Sequence, residues 1–499
     1  MNLVPVGYRA IIEKLELQTL PHYRTSYVTP KGRGKVIIEN DYETHIYPQT
    51  FTLKNSDDLL ENLAFSLKYE GINLEIIQAF FKKIEKNTII TYIQHQPTGI
   101  YSRKIWYLYE FLMNDRLPLA DCKRVRYVDL LDQKTYFTSA SRKSPRHAIN
   151  NNLMGSNDFC PIVRRTEKIE AYIKANFHYK AERILEKYDA RIIERACHYL
   201  YTKETMSSYQ IEREQPDKNR MVRFISLLQQ ASSIDILSKE RLIEMQNIIV
   251  DPRFQDNNYR INQNYVGENI NPYFQKIHYI SPKPEDVSDL MHGLLNTLEH
   301  LLSSEIHPVI IAATIAFGFV FIHPFEDGNG RLHRFLIHHI LSKTAFTPHN
   351  LIFPISAIML KNMREYDKTL ELFSKPLLST ITNYDLTEDG IMTVKQKSKS
   401  HYQFIDFTRI TEYLFSCIED IIYNHFEHEL LFLVNYDKVK KAIQEIIDMP
   451  DNKIDLLIKL ISQNNGALSI NKREQFFSLL TDDEMNAITT IITSSKLEF

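Results

Sequence analysis

One stretch decides the fold of this 499-residue chain: Ile322-His323-Pro324-Phe325-Glu326-Asp327-Gly328-Asn329-Gly330-Arg331-Leu332-His333-Arg334. It lies between two apolar segments. Residues 309–321 are almost wholly apolar, and apolar residues recur at helical spacing after Arg334. The pattern predicts a buried helix, a short polar loop and a second helix. Pro324 should end the first helix, because proline lacks an N–H and disfavours a helical residue before it.

The loop has the residue types of a polyphosphate site. Gly328 and Gly330 can adopt positive φ and let a ligand approach the bare backbone. Their N–H groups precede a helix N-terminus, and this arrangement binds anions. Arg331 and Arg334 are three residues apart, so both leave the helix on one face. Two guanidinium groups beside such a turn indicate several phosphates rather than one carboxylate.

Two further residues supply a metal ligand and a base. Asp327 offers a hard oxygen ligand, and Mg²⁺ is commonly held by one carboxylate together with substrate phosphates. His323 is the group of this loop that can exchange a proton near neutral pH. The stretch therefore predicts a phosphate site, a metal carboxylate and a general base within the segment 323–334.

The pattern His-Pro-Phe-x-Asp-Gly-Asn-Gly-Arg-x-x-Arg resembles the signature of Fic domains, and every fixed position is met. The resemblance implies a protein adenylyltransferase, which transfers AMP from Mg·ATP to a hydroxyl side chain of a protein. By this resemblance His323 is the catalytic base and Asp327 holds Mg²⁺. The residues that would bind ATP are the phosphate-contacting Gly328, Asn329, Gly330, Arg331 and Arg334, and Phe325, whose buried ring would anchor the loop.

Many Fic proteins carry an inhibitory helix with the pattern Ser/Thr-x-x-x-Glu-Gly/Asn. Ser208 and Glu212 match this pattern in a helix expected near residues 205–214, whereas Arg213 departs from it at the last position. A glutamate paired with Arg334 would occupy the charge that the γ-phosphate needs. The resemblance therefore implies autoinhibition by Glu212.

The same resemblance suggests where the target binds. A β-hairpin flap is expected at about residues 257–282, and it would pair with an extended segment of a protein substrate, which can be the chain itself. Tyr366 lies in a later helix that resembles the Fic helix contributing an aromatic residue near the nucleotide. A tyrosine in the core is the alternative.

Composition limits the class of protein. The net charge of −2 and the pI near 6.8 do not favour nucleic acid or an anionic membrane as partner. Four scattered cysteines without a C-x-x-C pair indicate a reducing compartment. No signal peptide is visible, and the longest apolar run is too short to span a bilayer. We therefore expect a cytoplasmic protein without a membrane segment.

The predicted fold class is mostly α. It comprises an α+β N-terminal domain (1–160), a helical Fic domain with a small flap (161–390) and a helical C-terminal domain (391–499). Strand-like pieces over residues 23–47 surround the basic turn 31–35, which predicts a solvated hairpin tip. Residues 395–401 are predicted to be a polar connector.

Three alternatives stay open. A Fic enzyme could use another phosphate donor, or could remove AMP with Glu212 positioning a water molecule; the complete motif favours ATP. A nucleotide-sensing, DNA-binding regulator could retain the fold without turnover, although intact His323 and Asp327 argue against this. Homodimer formation is not decided by the sequence.

Overall fold

The computed structural model describes residues 3–55, 57–233, 238–271, 274–464 and 466–495. Within these ranges the chain is mostly α-helical and contains four small sheets. The predicted fold class, mostly α with an α+β N-terminal region, is confirmed.

The N-terminal region combines seven short strands with five helices in its described part. The strands are β1 Val4–Val6, β2 Arg24–Val28, β3 Lys35–Glu39, β4 Tyr42–Tyr47, β5 Val128–Asp129, β6 Arg142–Ser144 and β7 Ile149–Asn151. The helices are α1 Tyr8–Leu15, α2 Leu59–Tyr69, α3 Leu74–Phe81, α4 Lys86–His95 and α5 Ile100–Met113. All five helices contribute to one buried apolar cluster, which includes Trp106.

The first sheet corrects the predicted hairpin at residues 31–35. Its strand order is β1-β2-β4-β3, with β2 parallel to β4 and β3 antiparallel to β4. The basic turn therefore connects two strands that are not neighbours. The tight hairpin turn lies instead between β3 and β4, at Asn40 and Asp41, which have φ of 48° and 69°. Asparagine and aspartate tolerate this left-handed backbone better than most residues.

The central region contains ten helices and two strand pairs in the part that the structure describes. The helices are α6 Glu167–Ala175, α7 Phe177–Leu185, α8 Ala190–Ile211, α9 Lys218–Gln229, α10 Lys239–Ile249, α11 Pro284–Leu302, α12 Pro308–Ile322, α13 Asn329–Lys343, α14 Ile355–Lys361 and α15 Met363–Thr380. The strands form two antiparallel hairpins, β8 Tyr265–Asn271 with β9 Phe274–Ile280 and β10 Tyr384–Leu386 with β11 Met392–Val394.

Helix α12 lies at the centre of the largest apolar core, which confirms the predicted helix, loop and helix around the motif. Its 15 residues are almost entirely buried, as an all-apolar helix should be. Pro308 occupies its first turn, where the missing N–H leaves no intrahelical bond unmade. Because α12 is held on all sides, the loop that follows it starts from a rigid position.

The C-terminal region is helical. It contains α16 Lys399–Gln403, α17 Thr408–Asp420, a π-helical turn Ile421–His425, α18 Phe426–Ile446, α19 Asp451–Gln463, α20 Ile470–Phe476 and α21 Asp482–Ser494. The central apolar core continues through α17 to Leu433, and a separate cluster begins at Val439. The domain boundaries at residues 160 and 390 remain a prediction.

The segment predicted as a polar connector is partly helical and buried. Nδ1 of His401 in α16 donates to Oε1 of Glu75 at 2.7 Å, and both side chains are buried. A polar sequence is therefore compatible with burial here because each side chain supplies the other's hydrogen-bond partner. Among the described residues, no helix has the length and apolar character needed to cross a membrane.

Candidate active site

The loop between α12 and α13 is built on two left-handed residues. His323 ends α12 with φ of 53°, and its N–H donates to the Phe319 carbonyl at 2.9 Å. Gly328 precedes α13 with φ of 88°, a conformation that glycine adopts without strain. A Cβ atom at Gly328 would lie 2.8 Å from Val250, so the position also has no room for a side chain.

Asn329 closes the loop on itself. Its Oδ1 accepts a hydrogen bond from the N–H of Phe325 at 3.0 Å, and its Nδ2 donates to the Phe325 carbonyl at 2.7 Å. Asn329 was predicted to contact phosphate, and both ends of its side-chain amide are committed to the loop backbone. Asn329 therefore shapes the turn, and only its N–H remains for an anion.

Phe325 and Tyr366 are core residues. The Phe325 ring is fully buried, with the Tyr259 ring centroid at 5.7 Å, as expected of an anchor. Tyr366 is also buried, and its ring stacks on His333 and Tyr413. Burial raises the pKa of Tyr366 to about 12, although the neighbouring Arg334 guanidinium lowers it. Both rings are buried in this conformation, and a contact of Tyr366 with a nucleotide remains a prediction.

His323 carries its lone pair on Nε2. Its Nδ1 lies 3.1 Å from the Val320 carbonyl, which can only accept, so Nδ1 holds the proton. Among the residues described, Nε2 has no hydrogen-bond partner. Burial is the main cause that lowers the pKa of His323 to about 4, and the nearby Arg260 guanidinium acts in the same direction. The imidazole is neutral at pH 7 and can accept a proton at Nε2.

Arg334 is held by the end of α8. Its Nε donates to the Ser208 hydroxyl at 2.8 Å, and its Nη2 donates to the Ser208 carbonyl at 2.7 Å and to Oε1 of Glu212 at 2.8 Å. The Arg334 side chain is 1% exposed, whereas that of Glu212 is 36% exposed. Nη1 of Arg334 is buried without a partner among the described residues. Both predicted inhibitory residues therefore contact the same motif arginine.

The Glu212 carboxylate also covers the loop backbone. A Cβ atom on Gly330 would lie 2.0 Å from its Oε1. An oxygen so close to the glycine occupies the space above the turn that an anionic ligand would need. Any oxygen atom, whether from Glu212 or from a ligand, can come this close to the backbone only because residue 330 is a glycine.

Arg331 is held by two carboxylates. Its Nη2 donates to Oδ1 of Asp327 at 2.6 Å, and its Nη1 donates to Oε2 of Glu214 at 3.1 Å. Glu214 also accepts from Arg220 at 2.8 Å, and the guanidinium groups of both arginines lie over the Tyr209 ring. Arg331 is thus buried in a network that joins the loop to the chain after α8.

Asp327 meets the chemical requirements of a single Mg²⁺ ligand. Its Oδ1 accepts from the Gly328 N–H and from Arg331, and its side chain is 39% exposed. No group of three or more His, Cys, Asp or Glu side chains suited to a metal occurs in the described ranges. Any cation at Asp327 must therefore complete its ligand set with water and substrate oxygens.

We call residues 208–214 the α8 end. They include Arg213, where the chain departs from the pattern Ser/Thr-x-x-x-Glu-Gly/Asn. Helix α8 stops at Ile211, Glu212 follows as its cap, and Arg213 has φ of 58°. Glycine or asparagine suits this left-handed position better than arginine. Arg213 therefore holds a left-handed backbone conformation that is strained for a residue other than glycine.

The flap is a bulged hairpin. Strands β8 and β9 pair antiparallel, with irregularities after Val266 and Asn269, and residues 272–273 of the predicted flap lie outside the described residues. Tyr265 donates to the Gly390 carbonyl at 3.2 Å, which joins the flap to the second hairpin. Val266 and Ile270 are exposed on the flap.

Glu214 and Arg260 contact the motif and were missed by the sequence analysis, as was Arg220, which pairs with Glu214. Glu214 lies two residues after the predicted inhibitory glutamate, and its acidic side chain was a usable signal. Arg220 and Arg260 are isolated arginines in polar segments, so nothing in the sequence distinguishes them from surface charges.

Comparison with known proteins identifies the same region. A model of the Fic/DOC family matches residues 236–341. Two proteins named "Protein adenylyltransferase Fic", from Drosophila sechellia and Drosophila melanogaster, are each 36% identical over 117 residues, which is 23% of this chain and 22% of each relative. The chain thus matches about a fifth of the length of these relatives.

Solved structures show weaker likeness. A Fic family protein from Desulfovibrio desulfuricans is 17% identical with a TM-score of 0.36, over 64% of this chain and 87% of that one. A Fic domain containing signaling protein from Bacteroides thetaiotaomicron has the same identity of 17% and TM-score of 0.36, over 53% of this chain and 96% of that one.

Proposed function

Because the chain carries a Fic/DOC family domain over residues 236–341, we propose that it is a protein adenylyltransferase. It would transfer AMP from ATP to a serine, threonine or tyrosine hydroxyl of a protein. The observation that carries this proposal is the free Nε2 of neutral His323 beside a glycine turn with two buried guanidinium groups. A base next to a polyphosphate site is what transfer to a hydroxyl requires.

In the proposed reaction the target hydroxyl gives its proton to Nε2 of His323 as its oxygen attacks the α-phosphorus. The new P–O bond forms while the bond between the α-phosphorus and the α–β bridging oxygen breaks, and pyrophosphate leaves with that oxygen. The N–H groups of Gly328 to Gly330 and the two motif arginines would bind the phosphate oxygens. The base contributes about 10²–10⁴-fold to the rate.

Asp327 would hold Mg²⁺ through its exposed carboxylate. A bound Mg²⁺ would neutralise part of the phosphate charge. In this structure Arg331 donates to the Asp327 oxygen Oδ1, so the arginine also orients the carboxylate.

We propose that the α8 end inhibits this reaction. Glu212 supplies Arg334 with a carboxylate where the γ-phosphate would bind, and its oxygen lies over Gly330. Ser208 fixes the same guanidinium through its hydroxyl and carbonyl oxygens. ATP must displace these contacts before its phosphates can bind productively.

Removal of AMP is a second candidate, for one reason. The Glu212 carboxylate lies at the motif loop, with Oε1 2.8 Å from Nη2 of Arg334 and 2.0 Å from the position that a Cβ atom of Gly330 would take. A carboxylate in this position could orient a water molecule toward a phosphodiester. The protein partner would be the same in both reactions, bound along the flap at residues 257–282.

The proposal is tested by intact-protein mass spectrometry after incubation with Mg·ATP, together with ATP labelled on the α- or the γ-phosphate. We expect Glu212→Gly to gain one AMP and the α-label, wild type to gain little, and Glu212→Gly/His323→Ala to gain none. Glu186→Gly is the matched control, because Glu186 also caps a helix and pairs with an exposed arginine, Arg183.

Each outcome separates the parts of the proposal. Equal transfer by wild type and Glu212→Gly would remove the inhibitory role and leave the enzyme. Transfer of the γ-label would mean that the chain transfers the γ-phosphoryl group of ATP rather than AMP. Loss of AMP from a premodified protein, dependent on Glu212, would favour the removal reaction. No labelling of the chain or of lysate proteins by any variant would contradict the adenylyltransferase.

A further inference from the structure

Arg260 is a buried arginine with no carboxylate partner among the described residues. Its side chain is 4% exposed, and it lies five residues before the flap strand β8. Burial lowers its pKa to about 10, which still leaves it charged at pH 7. Burying an unpaired charge is costly unless hydrogen bonds replace the lost water. Among the described residues, the hydrogen bonds that replace this water are all accepted by backbone carbonyls.

Three carbonyl oxygens accept from the Arg260 guanidinium. Nε donates to His323 at 2.8 Å, Nη1 to Asn262 at 2.7 Å and Nη2 to Pro282 at 2.6 Å. The backbone N–H of Arg260 donates to the Pro324 carbonyl at 2.8 Å. Asn262 precedes β8 and Pro282 follows β9, so we call residues 260–262 and 282 the flap base.

These contacts connect the two parts of the site that a transfer reaction must align. One is the backbone of His323, whose left-handed conformation sets the direction of the imidazole. The other is the pair of chain segments from which the flap extends. The planar, five-donor guanidinium is the side chain that can bind three carbonyls in fixed directions at once.

We propose that Arg260 is a positioning residue: it binds the flap base to the His323 backbone, so that a protein segment docked on the flap presents its hydroxyl to Nε2. This inference rests on the proposed function. The occupant of the flap is an extended protein segment bearing a hydroxyl side chain. Misplacement of reacting groups by about 1 Å can lower a rate by about 10²-fold, and we expect an effect of that order.

The imidazole also lies in the field of charges from three elements. Arg260 faces it from the flap base, Glu212 from the α8 end and Asp327 from the loop. The positive charge of Arg260 helps to keep the imidazole unprotonated, in addition to the geometric role of its hydrogen bonds.

The experiment uses the full chain with Glu212→Gly as parent. Arg260→Lys keeps the charge but loses the planar fork, and Arg260→Ala opens a space for added guanidinium. Arg253→Ala is the matched control, because Arg253 is close in sequence but 80% exposed and forms an ion pair with Asp251. Single-turnover AMP transfer, Mg·ATP binding and thermal unfolding are measured for each variant.

We expect Arg260→Lys and Arg260→Ala to bind Mg·ATP within about threefold of the parent and to transfer AMP about 10²-fold more slowly. Millimolar guanidinium chloride, but not sodium chloride, should restore at least part of the rate of Arg260→Ala. Arg253→Ala should match the parent. A purely structural role would not produce recovery with a salt that destabilises proteins.

Two results would overturn the proposal: a parental rate in both Arg260 variants, or a rate that falls only together with ATP binding and folding and is not restored. If the Glu212→Gly parent transfers no AMP, the proposed function fails separately. In that case the imidazole NMR signals of His323 test the positioning role of Arg260. A change in their chemical shifts in Arg260→Lys but not in Arg253→Ala supports the role, and unchanged chemical shifts contradict it.

Discussion

Two of the segments that contact the motif loop do so with opposite chemistry. The α8 end presents acceptors, from Ser208, Glu212 and Glu214, to guanidinium groups that an anionic ligand could also use. The flap base presents a guanidinium, from Arg260, to backbone carbonyls that no anion would bind. Under the proposed function, contacts of the first kind would compete with a nucleotide, whereas contacts of the second kind would persist when it is bound.

The comparison suggests that one segment regulates and the other maintains the site. Glu212 is more than a third exposed, so its ion pair is screened by solvent and can be displaced at modest cost. The Arg260 contacts are buried, and breaking them would leave carbonyl oxygens and a charge without partners. Removing contacts from the two segments should therefore change the transfer rate in opposite directions.

The largest expected effects are the opposite changes in the transfer rate when one segment or the other is altered. Glu212→Gly should raise single-turnover AMP transfer by about 10²-fold, and Arg260→Lys should lower it by about 10²-fold. Because the two segments use different groups of the loop, the double variant should return near the wild-type rate. A departure of more than about tenfold from the product of the single effects would mean that both segments control one shared loop conformation.

A smaller effect is expected at Glu214. Glu214→Gln removes one charge from Arg331 while Asp327 still pairs with it, so transfer should rise by only about tenfold. The same labelling assay measures the rate. Glu244→Gln is the control, because Glu244 also accepts from an arginine but is exposed and makes no hydrogen bond to the motif among the described residues. A rise equal to that of Glu212→Gly would show that Arg331, not Arg334, is the limiting phosphate contact.

The two segments should also move the pKa of His323 in opposite directions. The positive charge of Arg260 lowers this pKa and the negative charge of Glu212 raises it. Arg260→Gln should therefore raise it from about 4, and Glu212→Gln should lower it. NMR titration of the imidazole measures both changes. Since only neutral His323 can act as base, the activity of an uninhibited variant should fall on acidification through this pKa, at higher pH when Arg260 is replaced.

The smallest effect concerns backbone strain in the α8 end. The left-handed conformation of Arg213 costs about 1 kcal/mol of folding free energy, which Arg213→Gly removes. The substitution should therefore stabilise the inhibited arrangement. The melting temperature should rise slightly and residual wild-type transfer should fall a few-fold. Glu16→Gly is the matched control, because Glu16 has φ of 49° at the end of α1, far from the motif in the sequence. It should raise stability without changing transfer.

Much of the site could be predicted because its residues are close in sequence. The helix, the loop and the next helix follow from apolar spacing and from a proline and two glycines, and these are local physical constraints. The Ser208 to Glu212 spacing likewise places both side chains near each other on one helix turn. The structure confirms the local elements, while the roles of the residues remain proposals.

Other features could not be predicted because their partners are backbone groups or distant side chains. The Arg260 fork binds carbonyls more than 20 and 60 residues away, and carbonyls leave no mark in a sequence. Asn329 was expected to bind phosphate. Its residue type does not reveal that both ends of its amide form hydrogen bonds with the backbone of Phe325. The parallel pairing of β2 with β4 depends on a crossover that local turn signals do not encode.

The sequence by itself determined the motif loop, the buried helix before it and the chemistry available there: a base, a carboxylate, two arginines and a bare turn. These follow from residue types and short spacings, which set local conformation. Only the tertiary structure decided which groups are free. It places Glu212 over Gly330, pairs Glu214 with Arg331 and commits Arg260 to three carbonyls. Hydrogen-bond partners are assigned by packing of distant segments, and that assignment determines what the site can bind.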